Sequence, residues 1–166
     1  MNRIHSSLIL VLIGLLLCLS CRNQKKATQA SVHKGSSAKA EQVILEADKL
    51  MFSPYKYGGN TPDGFDCSGM TQYVFNKFDV KLPHNSEAQA IFGIDIERRD
   101  AQPGDLIFFK GQSGDQIGHV GIITKTYPNG IIEFISSTSS KGVILQSTQL
   151  NYWETRFVKT KRLVLD

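Results

Sequence analysis

The chain has 166 residues, 41% of them hydrophobic and 20% charged, with a formal net charge of +4. That length and balance suit a single globular domain and exclude a disordered chain or a multispan membrane protein. The positive charges are scattered, with Arg98-Arg99 and Lys159 to Arg162 as small clusters; with no aromatic-basic stripe, they read as solvated surface and not as a nucleic-acid site.

The first twenty residues differ from the rest. Arg3 and His5 precede an uncharged apolar run of twelve residues, Leu8 to Leu19, which suits the apolar region of an export signal better than a bilayer span of about 20. Ser20-Cys21 at its end resembles a bacterial lipobox, although Cys18 stands where an aliphatic residue is usual. The resemblance implies cleavage before Cys21 and diacylation of its thiol; plain secretion or an uncleaved anchor is the alternative, and all of them place the domain outside the cytoplasm. Arg3 is the only formal charge before Cys21, so the mature chain carries +3. Residues 21–40, rich in Lys, Gln, Ser and Ala, read as a flexible tether reaching about 25 Å on average. The organisation expected is therefore a signal over 1–20, a lipidated tether over 21–40 and a domain over 41–166. The expected address is the bacterial cell envelope, lipid-anchored on the periplasmic side of the outer membrane.

Within the domain, Val43, Ile44, Ala47, Leu50 and Met51 fall at helical spacing, which predicts a helix over Glu41 to Phe52. Tyr55 to Gly64 is a turn-rich loop containing Pro62-Asp63-Gly64. A second helix is expected from Cys67 to Phe78 and a short third from Ser86 to Phe92. Strands are predicted over Asp105 to Phe109, His119 to Thr124, Gly130 to Ser136, Gly142 to Ser147 and Arg156 to Leu165. Helices first and strands afterwards give an α+β fold, with N-terminal helices packed on an antiparallel sheet of about five strands.

The three cysteines are Cys18, Cys21 and Cys67. If the first leaves with the signal and the second carries lipid, Cys67 is a lone thiol in an oxidising compartment and needs a functional reason. Zinc is a poor one, since the domain around Cys67 has no CxxC and no HxxxH, and the one CxxC, Cys18 to Cys21, closes the leader. Catalysis is better: at a helix start, unpaired N–H groups and the positive dipole end favour the thiolate that a nucleophile requires. The base must be His84 or His119, because His5 and His33 lie in the signal and tether. His119 opens the apolar segment His119-Val120-Gly121-Ile122-Ile123 after a glycine-rich loop, where it can meet a helix N-terminus, whereas His84 reads as an exposed loop residue.

The segments YKYGGNTPDGFDCSGM, LPHNSEAQ, PGDLIFF, GHVGIIT and FISSTSSKGV resemble, in order and spacing, the NlpC-type cell-wall cysteine peptidases with their minimal papain-like core. The likeness covers about Tyr55 to Val143. It implies Cys67 as nucleophile and His119 as base, Tyr55 hydrogen-bonding near the nucleophile, and Asp66 and Ser68 contacting the substrate's amine and backbone; Asp66 also suits the helix N-cap. Two positions depart from the family. Ser136 stands where a third polar residue, often histidine, orients the base, and a hydroxyl can accept a hydrogen bond from the imidazole but brings no charge. His84 stands where arginine is common. The function implied is a peptidoglycan endopeptidase that cuts an amide of the stem peptide or its cross-link through a Cys-His mechanism. A weak or inactive cell-wall binding module of the same fold is the alternative. The resemblance implies no metal and no organic cofactor. Partners are stem peptides and, through Cys21, the membrane, with no nucleic acid and no protein partner inferable.

Overall fold

Four consecutive residues, Leu106, Ile107, Phe108 and Phe109, have no solvent-exposed surface, which requires a strand covered on both faces. In a computed structural model, which describes residues 38–112 and 114–165, they form β4 (Leu106–Lys110) near the middle of an antiparallel sheet. The other strands are β3 (Ile94–Ile96), β5 (Ile117–Thr126), β6 (Ile132–Thr138), β7 (Gly142–Ser147) and β8 (Phe157–Arg162), in the order β3-β8-β4-β5-β6-β7. A separate two-stranded hairpin pairs β1 (Asn60–Thr61) with β2 (Gly64–Phe65). The helices are α1 (38–48), α2 (Cys67–Asn76), α3 (Ser86–Gln89) and α4 (Asn151–Glu154).

Because side chains alternate across a strand, the sheet has two differently built faces. Leu106, Phe108, Val120, Ile122 and Ile135 pack with Val43 and Ala47 of α1 and Met70, Val74 and Phe75 of α2. Ile107, Phe109, Ile123, Ile132 and Phe134 form the opposite face with Trp153 of α4. The two faces thus carry a helical layer and an aromatic cluster.

The α+β class and antiparallel sheet match expectation, but the sheet has six strands where about five were expected. The extra strand, β3, is three residues long and leaves Ile94 exposed, so no alternating pattern marks it; pairing with β8 defines it. The one-turn α4 is similarly unmarked. Helix α1 is already formed at residue 38 and ends at 48, and the compact unit begins at Lys39, two residues before the boundary expected at 41. The charge clusters are less free than expected: Arg98 pairs with Glu154, Lys161 with Asp95 and Arg162 with Asp105. The signal over 1–20, Cys21 and the tether up to residue 37 lie outside the described residues.

Candidate active site

Asp66 fixes the start of α2. Its backbone is extended (φ −88°, ψ 176°), and its Oδ1 accepts the Gly69 N–H at 2.7 Å, as an N-cap does. The same carboxylate accepts the Ser68 hydroxyl at 3.0 Å and the Gly58 N–H at 3.0 Å, and His84 Nε2 lies 3.0 Å from both its oxygens. His84 is therefore a half-buried partner of the cap and not the exposed loop residue expected. Gln89, fully buried, donates to the Ser68 and Pro83 carbonyls at 2.9 and 2.8 Å and accepts from Thr71 Oγ1 at 2.7 Å. Close packing completes the support: a Cβ on Gly69 would fall 2.0 Å from the Gly59 carbonyl oxygen. Cys67 thus begins a helix whose first turn is tied to two loops and to α3.

His119 comes from the other face. It lies opposite Phe109 in the β4–β5 ladder, just past a register shift at Lys110. Its ring stacks on Trp153, with centroids 4.9 Å apart and planes at 27°. Trp153 is wedged among Phe109, Phe134 and Tyr152 at 4.8, 5.4 and 4.8 Å. Its helix is clamped by Arg98, which donates to both Glu154 oxygens at 2.8 and 2.6 Å. The Nε2 of His119 lies 2.9 Å from Ser136 Oγ. Extending the Ile122–Ile135 pairing sets Gly121 opposite Ser136, so His119 is Ser136's diagonal neighbour on one face, a spacing side chains bridge.

The two sides meet in a cleft of about 720 Å³ lined by Tyr55, Cys67, Gly118, His119, Gln146 and Trp153, among others. The backbone N–H groups of Val120, Ser68 and Cys67 point at the sulfur, so the residue following His119 touches the thiol directly. Lys141 and Lys110, the latter paired with Asp115 at 2.7 Å, are the lysines along the wall, and Lys141 suits an anionic peptide. Asp66 and Ser68 are not among the lining residues; Ser68 is buried and Asp66 is engaged with four partners. Of Tyr55, Asp66 and Ser68, Tyr55 alone lines the cleft.

Burial dominates the electrostatics. It raises the Cys67 thiol to about 11, and the Asp66 carboxylate pushes the same way, while the amide donors at the sulfur oppose it and lose. The amide donors at the helix start lower the thiol as expected, but for this half-buried group desolvation is the larger effect. Burial also lowers His119 to about 4. Both shifts favour the neutral pair, thiol and free imidazole, from which the sulfur passes its proton to the ring as it attacks.

A sulfur at a helix mouth, a half-buried imidazole on the same cleft and a hydroxyl on the ring's Nε2, carried on this α+β frame, define the class of papain-like thiol hydrolases. Residues 53–162 match the NlpC/P60 family, and the chain belongs to it. It is 33% identical to the probable endopeptidase NlpC of Escherichia coli (strain K12), over 93% of this chain and 97% of that protein. It is 32% identical to the γ-DL-glutamyl hydrolase of Bacillus subtilis (strain 168), over its whole length but only 39% of the relative's. Among solved structures, the NlpC/P60 domain of the peptidoglycan hydrolase SagA superposes with a TM-score of 0.63 at 26% identity, covering 75% of this chain and 98% of that domain.

Three contributors escaped the sequence reading: Gln89, Trp153 and Gln146. Trp153 is the only tryptophan, a signal that went unused. Gln89 and Gln146 carry none, because their partners lie on other elements.

Proposed function

We propose that the protein is a peptidoglycan endopeptidase that hydrolyses an amide bond of the stem peptide or of its cross-link. One observation carries the reading: the Val120 amide lies against the Cys67 sulfur while the adjoining His119 opens into the same cleft. In the proposed reaction Cys67 attacks the substrate carbonyl, His119 takes the thiol proton, and the Cys67 N–H receives the developing oxyanion. The amine leaves with the proton returned by His119, giving a thioester; water activated by His119 then releases the acid and restores the thiol. Ser136 orients the ring, and Lys141 draws in the acidic peptide. The names of the relatives support this substrate class. The apolar leader and Ser20-Cys21 support a further part of the proposal, that lipid on Cys21 holds the domain at a bacterial envelope membrane.

Digestion of defined muropeptides, followed by mass spectrometry, tests the reading and identifies the bond. The expected result is a product mass one water greater than the substrate in sum, absent with Cys67→Ser. Binding without cleavage by the wild-type protein overturns it in favour of a binding module.

A further inference from the structure

Replacing a charged or ring-based orienting group with a serine leaves a problem of direction. A serine hydroxyl can accept the imidazole N–H or donate its own proton to the ring. These choices produce opposite tautomers. If Ser136 accepts, Nε2 carries the hydrogen and Nδ1 is bare and able to take the thiol proton. If it donates, Nε2 is the bare nitrogen and Nδ1 carries a hydrogen that blocks it as a base.

Gln146 resolves the choice. On β7 it pairs across from Phe134, and Ser136 pairs across from Ile144, so Gln146 is the diagonal neighbour of Ser136 just as His119 is from the other side. The Ser136 hydroxyl donates to Gln146 Oε1, and Ser136 Oγ itself lies 2.9 Å from His119 Nε2. With its single proton committed to the amide carbonyl, Ser136 can only accept from the ring. Ser136 is fully buried, so water does not compete for that proton.

We infer that Gln146 is a positioning residue that acts through Ser136 to hold His119 in the Nε2–H tautomer, leaving Nδ1 free to receive the Cys67 proton. Gln146 and Ser136 form one two-residue device, a diagonal row across β7, β6 and β5, taking the place of a single side chain with a fixed donor and acceptor. The inference rests on the hydrolase reading above for its consequence, but not for its geometry.

The test uses the full chain with 15N-labelled histidine rings, the His119 signals being assigned by their loss in His119→Asn. The ring nitrogen shifts report the tautomer without any substrate. The wild-type ring is expected as Nε2–H at neutral pH, and Gln146→Ala is expected to move it to Nδ1–H or to a mixture. On muropeptides the same variant should lower kcat about 10- to 100-fold, the range usual for residues that orient a reacting group from behind, with KM changed less than about 2-fold. A carboxylate accepts and never donates, so Gln146→Glu should keep the wild-type tautomer and most of kcat. In a Ser136→Ala background, Gln146→Ala should add no further loss. If Gln146→Ala does not fold, Gln146→Met replaces it. The inference is overturned if removing the amide leaves the Nε2–H tautomer in place, or if Gln146→Glu disturbs it as much as Gln146→Ala. Should the wild-type protein release no product from muropeptides, the hydrolase reading fails, while the ring shifts still decide the role of Gln146.

Discussion

The thiol side and the imidazole side of the cleft are held by different kinds of structure. Cys67 is fixed by the stretch of chain around it: its cap Asp66 bonds Ser68 and Gly69 in the helix, Gly58 before it and His84 after it, and Gln89 of α3 holds the Ser68 carbonyl. His119 is fixed by residues gathered from far along the chain, Phe109, Ser136 and Trp153, each on a different element. The first side is rigid through hydrogen bonds to backbone; the second is rigid through stacked rings and the Ser136–Gln146 relay. Chemistry needs both, so damage to either side should abolish turnover, but with different effects on stability and pH dependence.

Removing the sulfur gives the largest separation. Cys67→Ser should lower muropeptide turnover by about 10⁴-fold or more while leaving the thermal midpoint almost unchanged, as measured by circular dichroism. Breaking the aromatic side should do the reverse in part: Trp153→Ala is expected to cost about 3 kcal/mol in denaturant unfolding. It also lets water reach His119, so the ring's pKa rises from about 4 toward 6.5 and the acid limb of kcat/KM moves up with it. Gly69→Ala attacks the thiol side. Alanine is the better helix former by about 1 kcal/mol, but the Cβ has no room beside the Gly59 carbonyl, so a net loss of about 2 kcal/mol is expected in the same assay. Asp66→Ala removes the cap and should cost about 1 to 2 kcal/mol, with activity falling as the first turn frays.

The smallest effect is in the pH profile of stability, and its sign differs for the two sides. The folded chain keeps His119 unprotonated down to about pH 4, whereas the unfolded ring protonates near 6.5, so stability falls as pH falls between those values. The folded chain keeps the Cys67 proton up to about pH 11 against 9.0 when unfolded, so stability falls as pH rises through that window. Cys67→Ala should remove only the alkaline loss.

The contrast between the sides also explains what was legible in the sequence. Local chemistry could be read: the helix beginning at Cys67, the cap at Asp66, and the strand carrying His119 all announce themselves within a few residues. His119 and Ser136 could be placed on neighbouring strands because each strand was marked by its apolar run. What lay beyond reach depends on pairing register and packing: Gln146 diagonal to Ser136, Trp153 stacked on the ring, and β3 recognised only by its partner β8. The thiol's ionisation was misread because a helix start is visible in sequence whereas burial from the opposite wall is not. Arg98 was misread for a similar reason, since the Glu154 that makes it a clamp for the ring's support lies 56 positions away.

Alkylation of Cys67 by iodoacetamide across pH 4 to 12, followed by peptide mass spectrometry at that residue, measures most directly whether the resting pair is neutral. The expected curve is slow through neutral pH and rises only above about pH 9, toward a midpoint near 11. A fast, flat rate between pH 5 and 8 that disappears in His119→Ala would show a thiolate–imidazolium pair at rest and contradict the burial-dominated site described above.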